Sequence, residues 1–175
     1  PTVYDMAAYP KTLSGKTVAT YVNTHTDLSD ELYREGKLVS DNYKNILRSQ
    51  TNAAAIPAEG TVRYGVTVRR ANLRNLPTGE GLFFYAGDRN FDALQETALD
   101  PGEAVAILHT STNGYFYYVQ AYNYRGWLSK FDVAETDRSI WLRYAEPKNF
   151  LTVVAKDYTL KADGAQVLFQ QGARL

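Results

Sequence analysis

The hydrophobic and polar positions change period along the chain, and each change predicts a change of element. Residues 28–55 read as helical: Ser29 can cap the run LSDELYREG, and Gly36 stops it. A second helix start follows at Ser40, which opens DNYKNILRSQTNAAA. There Tyr43, Ile46 and Leu47 fall at i, i+3 and i+4, on one helix face. Pro57 and Gly60 end the helical stretch. Residues 1–27 carry no clear period. After Gly60 the period becomes two: Val62, Tyr64, Val66 and Val68 alternate with Thr61, Arg63, Gly65, Thr67 and Arg69. That pattern predicts a half-buried strand.

The chain stays extended to Leu76, and then PTGEGLFFYAGDRNFDALQETAL shows no period. Unstructured loops of that length inside a compact domain are usually functional. Asp100-Pro101-Gly102 predicts a turn, Ala104–His109 a short apolar strand, and Asn113-Gly114 a hairpin in which both residues tolerate positive φ. On the return strand Tyr115, Tyr117 and Val119 alternate with Phe116, Tyr118 and Gln120, and Gly126-Trp127-Leu128 opens a last short strand. FDVAETDRSIWLRYAEP reads as a turn and a helix, capped by Thr136 or Asp137, with Ile140, Trp141 and Tyr144 as its buried stripe. From Phe150 strands return, with Ala162-Asp163-Gly164 turning between YTLK and QVLF. A lone hairpin is marginal in water, so the pattern predicts a chain cut inside a second β-domain.

Composition narrows the function. Of the 175 residues, 45% are hydrophobic and 22% charged, enough to bury a real core. Lys+Arg is 19 and Asp+Glu is 19; a net charge of zero argues against nucleic-acid binding and against electrostatic attachment to a membrane surface. There is no Cys, which excludes a disulfide scaffold, a thiolate metal site and a cysteine nucleophile within this chain. The 2 His, His25 and His109, do not make a metal site, so no metal or cofactor is expected. The 14 Tyr and 7 Phe lean toward a β-rich binding module. No stretch is long and apolar enough to be a transmembrane segment.

A strand, a long irregular loop, two strands joined at Asn-Gly, then Gly-Trp and a short strand is the order of an SH3-like barrel. The segments VRYGVTVRRANLRNLPT, FDALQETALDPGEAVAILHTS and YNYRGWLS resemble the first bacterial SH3 domain of multidomain NlpC/p60-type cell-wall cysteine peptidases. The resemblance implies a mainly β fold: a helical N-terminal segment at 1–59, an SH3-like barrel (SH3b) at 60–135, a helical linker at 136–147 and the truncated start of a second SH3-like domain at 148–175. It implies a non-catalytic targeting and substrate-gating region of a peptidoglycan endopeptidase that cuts between γ-D-glutamate and a diamino acid. The expected partners are the peptidoglycan stem peptide and a C-terminal catalytic domain missing from this chain. The expected location is the cell envelope, periplasmic or extracellular. The family's chemistry needs a Cys nucleophile and a His base, so no catalytic residue is assigned here. The alternatives are a stand-alone SH3-like adaptor for cell-wall peptide or a protein partner and, more weakly, a hydrolase using carboxylates.

The substrate-binding candidates are Tyr124, Glu96, Asp92, Tyr117 and Trp127. Trp127 is either a stacking aromatic or core packing, with core favoured. Tyr117 and Tyr124, with Tyr115 and Tyr122, form either an aromatic platform or ordinary strand residues. In the long loop, Asp92 and Glu96 either line a groove, with Asp88 and Gln95, or tie the loop down. Arg69, Arg70 and Arg74 read as the solvated side of a strand, and His109 as a hydrogen-bonded structural residue. Gly79, Gly81 and Gly87 lack the Lys-Ser/Thr of a phosphate loop.

Overall fold

The computed structural model describes residues 3–24 and 27–175. His25 therefore lies outside the described residues. The chain runs through β1 (Thr12–Ser14), α1 (Gly15–Asn23), β2 (Tyr33–Arg34), β3 (Lys37–Leu38), α2 (Asp41–Ser49) and β4 (Glu59–Thr61). It continues through β5 (Arg63–Thr67), β6 (Ala71–Arg74), β7 (Gln95–Leu99), β8 (Ala104–Thr110), β9 (Phe116–Gln120), β10 (Arg125–Ser129) and β11 (Val133–Thr136). It ends with α3 (Arg138–Ala145), β12 (Asp157–Ala162) and β13 (Ala165–Gln170).

Seven strands form one antiparallel sheet in the order β11-β5-β8-β9-β10-β6-β7. β5 and β6 lie near its opposite edges, yet only Val68–Arg70 separates them in sequence, so the sheet rolls into an SH3-like barrel. Ala71, Leu73, Leu99, Val105, Ile107, Val119, Leu128 and Val133 fill its interior. Gly126 sits where β10 crosses β6; a Cβ there would meet the Arg74 carbonyl oxygen at 2.6 Å, so this approach admits no side chain.

The period-two stripe of β5 is buried, but outside the barrel. Val62, Tyr64 and Val66 pack with Ala104, Ala106 and Trp141 beneath the N-terminal Met6 and Tyr9. Tyr9 is buried there and its hydroxyl pKa is pushed up to about 12, mainly by that burial. The outer face of β9 and β10 carries Tyr118 and Trp127, covered by Val18 and Val22 of α1. The strand is thus covered on both faces rather than half-buried, and Val68, its last expected inward position, is exposed.

Several sequence expectations are corrected. The LSDELYREG run is not a helix: Tyr33–Arg34 pairs with Lys37–Leu38 through a turn with Glu35 at φ 50° and Gly36 at φ 79°. Tyr33 also exchanges backbone hydrogen bonds with Phe83 in the long loop, at 2.7 and 2.9 Å. A non-local strand bridge has overridden local helix propensity. α2 begins as expected, with Ser40 Oγ accepting from the Tyr43 N–H. Its buried residues are Lys44 and Leu47, while Ile46 faces solvent. Residues 133–136 are a strand, not a turn, and of the expected α3 stripe only Trp141 is buried. At the β8–β9 turn Gly114 alone takes positive φ, 72°, and the Gly114 N–H donates to the Ser111 carbonyl at 2.9 Å. That is a type I turn closed by a left-handed glycine. At the C-terminus β12 and β13 pair through Asp163-Gly164, with Val153, Phe169 and Ala173 clustered beneath.

Candidate functional site

The long loop from Asn75 to Leu94 is tied down at its base. Arg74 ends β6, and its Nη1 lies 2.7 Å from Asp92 Oδ2 while Nη2 donates to the Glu80 carbonyl at 2.6 Å. Asp92 Oδ1 accepts from the Leu82 and Leu94 N–H groups at 3.1 and 3.0 Å. Arg74 is buried, its side chain 6% exposed, which corrects its reading as a solvated strand residue. Nothing in its own spacing marks it, because its partner is supplied by the far end of the loop. Arg69 and Arg70 do face solvent and pair with Asp132 and Asp100.

Beneath the loop, Leu76, Leu82 and Leu94 pack with Leu28, Leu32 and Val39, which flank the β2–β3 hairpin, and with Leu47 of α2. The loop thus has an anchored side and a free side. Phe84, Tyr85 and Phe91 are exposed, Tyr85 at 74% and Phe91 at 77%. Asp88 Oδ1 accepts from the Asn90 and Phe91 N–H groups and shapes the turn between these aromatics.

At the root of the loop Tyr124 donates its hydroxyl to Glu96 Oε2 at 2.5 Å. That bond, ahead of burial, raises the Tyr124 pKa, so the phenol keeps its proton at neutral pH and stays a donor. The Tyr124 carbonyl accepts from Ala121 N and Gln120 Nε2, which fixes the corner before β10. Tyr124 and Glu96 are therefore one unit, half-buried against the barrel core.

The other candidates do not join this unit. Asp92 is occupied by Arg74 and the loop backbone. Trp127 is 0% exposed beneath α1, with Tyr118 5.1 Å away edge to face, so its ring is core and presents no surface to a ligand. Tyr117 lies at the other end of β9 from Tyr124. Its hydroxyl donates to Glu135 Oε1 at 2.6 Å, and the Arg63 guanidinium lies over its ring at 4.9 Å. Burial first, then the bond to Glu135, raises the Tyr117 pKa. His109 is a structural group: Nε2 donates to the Asn52 carbonyl at 3.0 Å, and burial lowers its pKa. Among the described residues no cluster of His, Asp or Glu is suited to a metal ion.

The sequence reading also missed the groups facing the loop from the N-terminal segment. Arg34 pairs with Glu80 at 3.0 Å, and Tyr43 donates its hydroxyl to the same carboxylate. Their signal is confined to the pairing of Tyr33 with Phe83, which no local period reveals.

Comparison with known proteins agrees with this architecture. A family model described as SH3 domain (SH3b1 type) matches residues 82–129. A search of curated proteins finds no match. Among solved structures the chain is similar to a novel NlpC/P60 endopeptidase from Photobacterium damselae subsp. piscicida, at 20% identity and a TM-score of 0.70. The likeness covers 92% of this chain and 37% of that one, so the chain spans little more than a third of its neighbour's length. At this identity the likeness concerns the fold. The chain thus carries a bacterial-type SH3 region in a fold shared with an NlpC/P60 endopeptidase.

Proposed function

We propose that this chain is the non-catalytic targeting and substrate-gating region of a bacterial peptidoglycan endopeptidase, working in the cell envelope beside a catalytic domain. The observation that carries the reading is the placement of the family match. Residues 82–129 span the free side of the long loop, Glu96 and Tyr124, so the SH3-type segment and the candidate site coincide. The neighbour, an NlpC/P60 endopeptidase, supports the cell-wall assignment at the level of fold.

In this reading the Tyr124–Glu96 pair receives the stem peptide. The phenol holds the Glu96 carboxylate in place and leaves its second oxygen to accept from the peptide's free amine. The ring supplies contact area with few rotors to freeze. The exposed Phe84, Tyr85 and Phe91 turn toward the catalytic domain, since aromatic side chains left in solvent on an ordered loop favour burial against a partner.

The test uses purified sacculi and defined stem peptides. The chain co-sediments with sacculi, and Glu96→Gln and Tyr124→Phe each weaken stem-peptide binding by about tenfold. Tyr124→Phe keeps the packing against the barrel, so its loss is not one of folding. Arg69→Ala, on a solvated residue, binds as the parent. Failure to bind sacculi or stem peptide overturns the reading. Damage from Arg69→Ala with the other two neutral places the site on another face of the barrel.

A further inference from the structure

We propose that the cavity between the β2–β3 turn and the long loop is a binding site for a free α-amino acid group, one carbon carrying both an ammonium and a carboxylate. The cavity holds about 300 Å³ and is lined by Arg34, Glu35, Glu80, Phe83, Asp88 and Arg89, with small residues between them. That volume is at the lower end for small-molecule sites and suits a ligand head of a few heavy atoms.

The wall carries both signs of charge, and the groups divide into committed and uncommitted. Glu80 is committed: it pairs with Arg34 at 3.0 Å and accepts the Tyr43 hydroxyl, while the Arg34 guanidinium lies over the Tyr43 ring at 5.0 Å. Arg34 also interacts with the Tyr43 hydroxyl and lies within electrostatic reach of the Glu35 carboxylate, and its guanidinium keeps N–H donors beyond those on Glu80 and Tyr43. Three groups are left. Arg89 makes no ion pair or hydrogen bond among the described residues. Asp88 uses Oδ1 to hold its turn, which leaves Oδ2. The Glu35 carboxylate has no hydrogen-bond partner among the described residues.

The backbone at Glu35 points the same way. It sits at φ 50°, a left-handed position before Gly36 at φ 79°, in a turn where Asn or Gly is the ordinary occupant. A glutamate held in that conformation is strained, and such strain concentrates at ligand sites. Glu35 lines the cavity together with Asp88 and Arg89, which come from the loop. A ligand carboxylate is then met by Arg89 and the remaining donors of Arg34, and its ammonium by Glu35 and Asp88. A simple dianion leaves these carboxylates facing like charge, and a simple diamine does the same to Arg89, so the mixed wall selects the zwitterion.

The site stands on its own geometry; only the choice of probe rests on the cell-wall reading above. Diamino acids such as meso-diaminopimelate carry this head, whereas pimelate lacks the amines and cadaverine lacks the carboxylates. The experiment titrates this chain with each of the three while recording amide NMR shifts and calorimetric heat. The expected result is saturable binding of meso-diaminopimelate, with shifts at Gly36, Gly81 and Ala86, and none from the two controls. Arg89→Gln and Glu35→Gln each weaken it by about tenfold. Glu35→Asn, which suits the left-handed turn, raises the melting temperature and loses binding, a split that a merely structural Glu35 does not produce. Tyr124→Phe binds the probe as the parent does, so failure at the Tyr124–Glu96 corner and failure here are told apart. No saturable binding, equal binding of pimelate or cadaverine, shifts confined to other residues, or parent-like binding by both Arg89→Gln and Glu35→Gln each overturn the proposal.

Discussion

Replacing Asp92 by alanine tests whether this carboxylate holds the loop or serves a ligand. The Arg74–Asp92 pair is 2.7 Å long, with the side chains 6% and 17% exposed. Asp92 also satisfies the Leu82 and Leu94 N–H groups. Asp92→Ala leaves a buried guanidinium without its counter-charge, and breaking a buried pair in this way costs about 3–5 kcal/mol. Because Asp92 is not fully sealed, water reaches part of the vacated space and the lower half of that range is expected. For a chain of this size that is a fall in melting temperature of about 10 °C. Asp92→Asn keeps an acceptor for the two N–H groups but gives up the charge and the acceptor that faces Arg74, so it costs about 1–3 kcal/mol. The double variant Arg74→Met with Asp92→Leu removes both charges together and costs less than Asp92→Ala alone. Urea unfolding of these proteins, together with the single variants Arg74→Met and Asp92→Leu, reads these differences directly. The reasoning is refuted if Asp92→Ala costs under about 1 kcal/mol, or if the double variant costs the sum of its singles.

Gly114→Val puts a β-branched residue at φ 72° where no neighbour lies within 4 Å of a Cβ, so the cost is backbone strain alone, about 1–2 kcal/mol, read as a lower melting temperature without loss of the fold. His109 has a depressed pKa, so it binds a proton more readily unfolded than folded; its contribution is complete above the unfolded value of about 6.5 and is lost as pH falls toward the folded one. Denaturant titrations at about pH 5.5 and pH 7.5 should therefore show a smaller pH dependence for His109→Gln than for the parent. A chain starting at Gly60 exposes Val62, Val66, Tyr118, Trp127 and Trp141 in whole or part; at about 1.5–3 kcal/mol per large apolar side chain this approaches a typical total stability, so circular dichroism should show no cooperative unfolding.

β5, β8, β9, β10, the C-terminal hairpin and their turns were legible because their signals are local, whereas β7 (Gln95–Leu99) lay in a stretch read as loop and β11 (Val133–Thr136) in one read as a turn. Val62, Tyr64 and Val66 alternate, Asn113-Gly114 and Asp163-Gly164 turn the chain, and Ser40 caps α2. The misses have one cause, contacts between segments distant in sequence. α1 is rich in β-branched residues, with Thr17, Val18, Thr20 and Val22, and forms as a helix because Val18 and Val22 bury over Tyr118 and Trp127. LSDELYREG is composed of good helix formers, and its pairing with Phe83 draws it into a hairpin. The site divides in the same way. Tyr124 and Glu96 were both singled out, and the barrel does bring them into contact. Arg74 passed as a surface residue because a strand period marks only sides, not which charge a distant loop will return.

Period two also does not say which side of a barrel strand is the interior. In β5 the residues facing inward include Gly65, where an added Cβ would meet Val133 at 2.5 Å, while the apolar stripe faces out. An SH3-type sheet with apolar outer faces needs covers, and residues 3–23 and α3 supply them. The helical N-terminal segment is thus part of the barrel's packing rather than an appendage. That arrangement bears on function. The segments flanking the β2–β3 hairpin, through Leu28, Leu32 and Val39, and α2, through Leu47, grip the underside of the long loop, and the Arg74–Asp92 pair grips its base. A loop fixed at two places presents Phe84, Tyr85 and Phe91 and the nearby Tyr124–Glu96 unit with little entropy left to lose on binding. The same cover that completes the core therefore preorganises the surface on which the proposed activity depends.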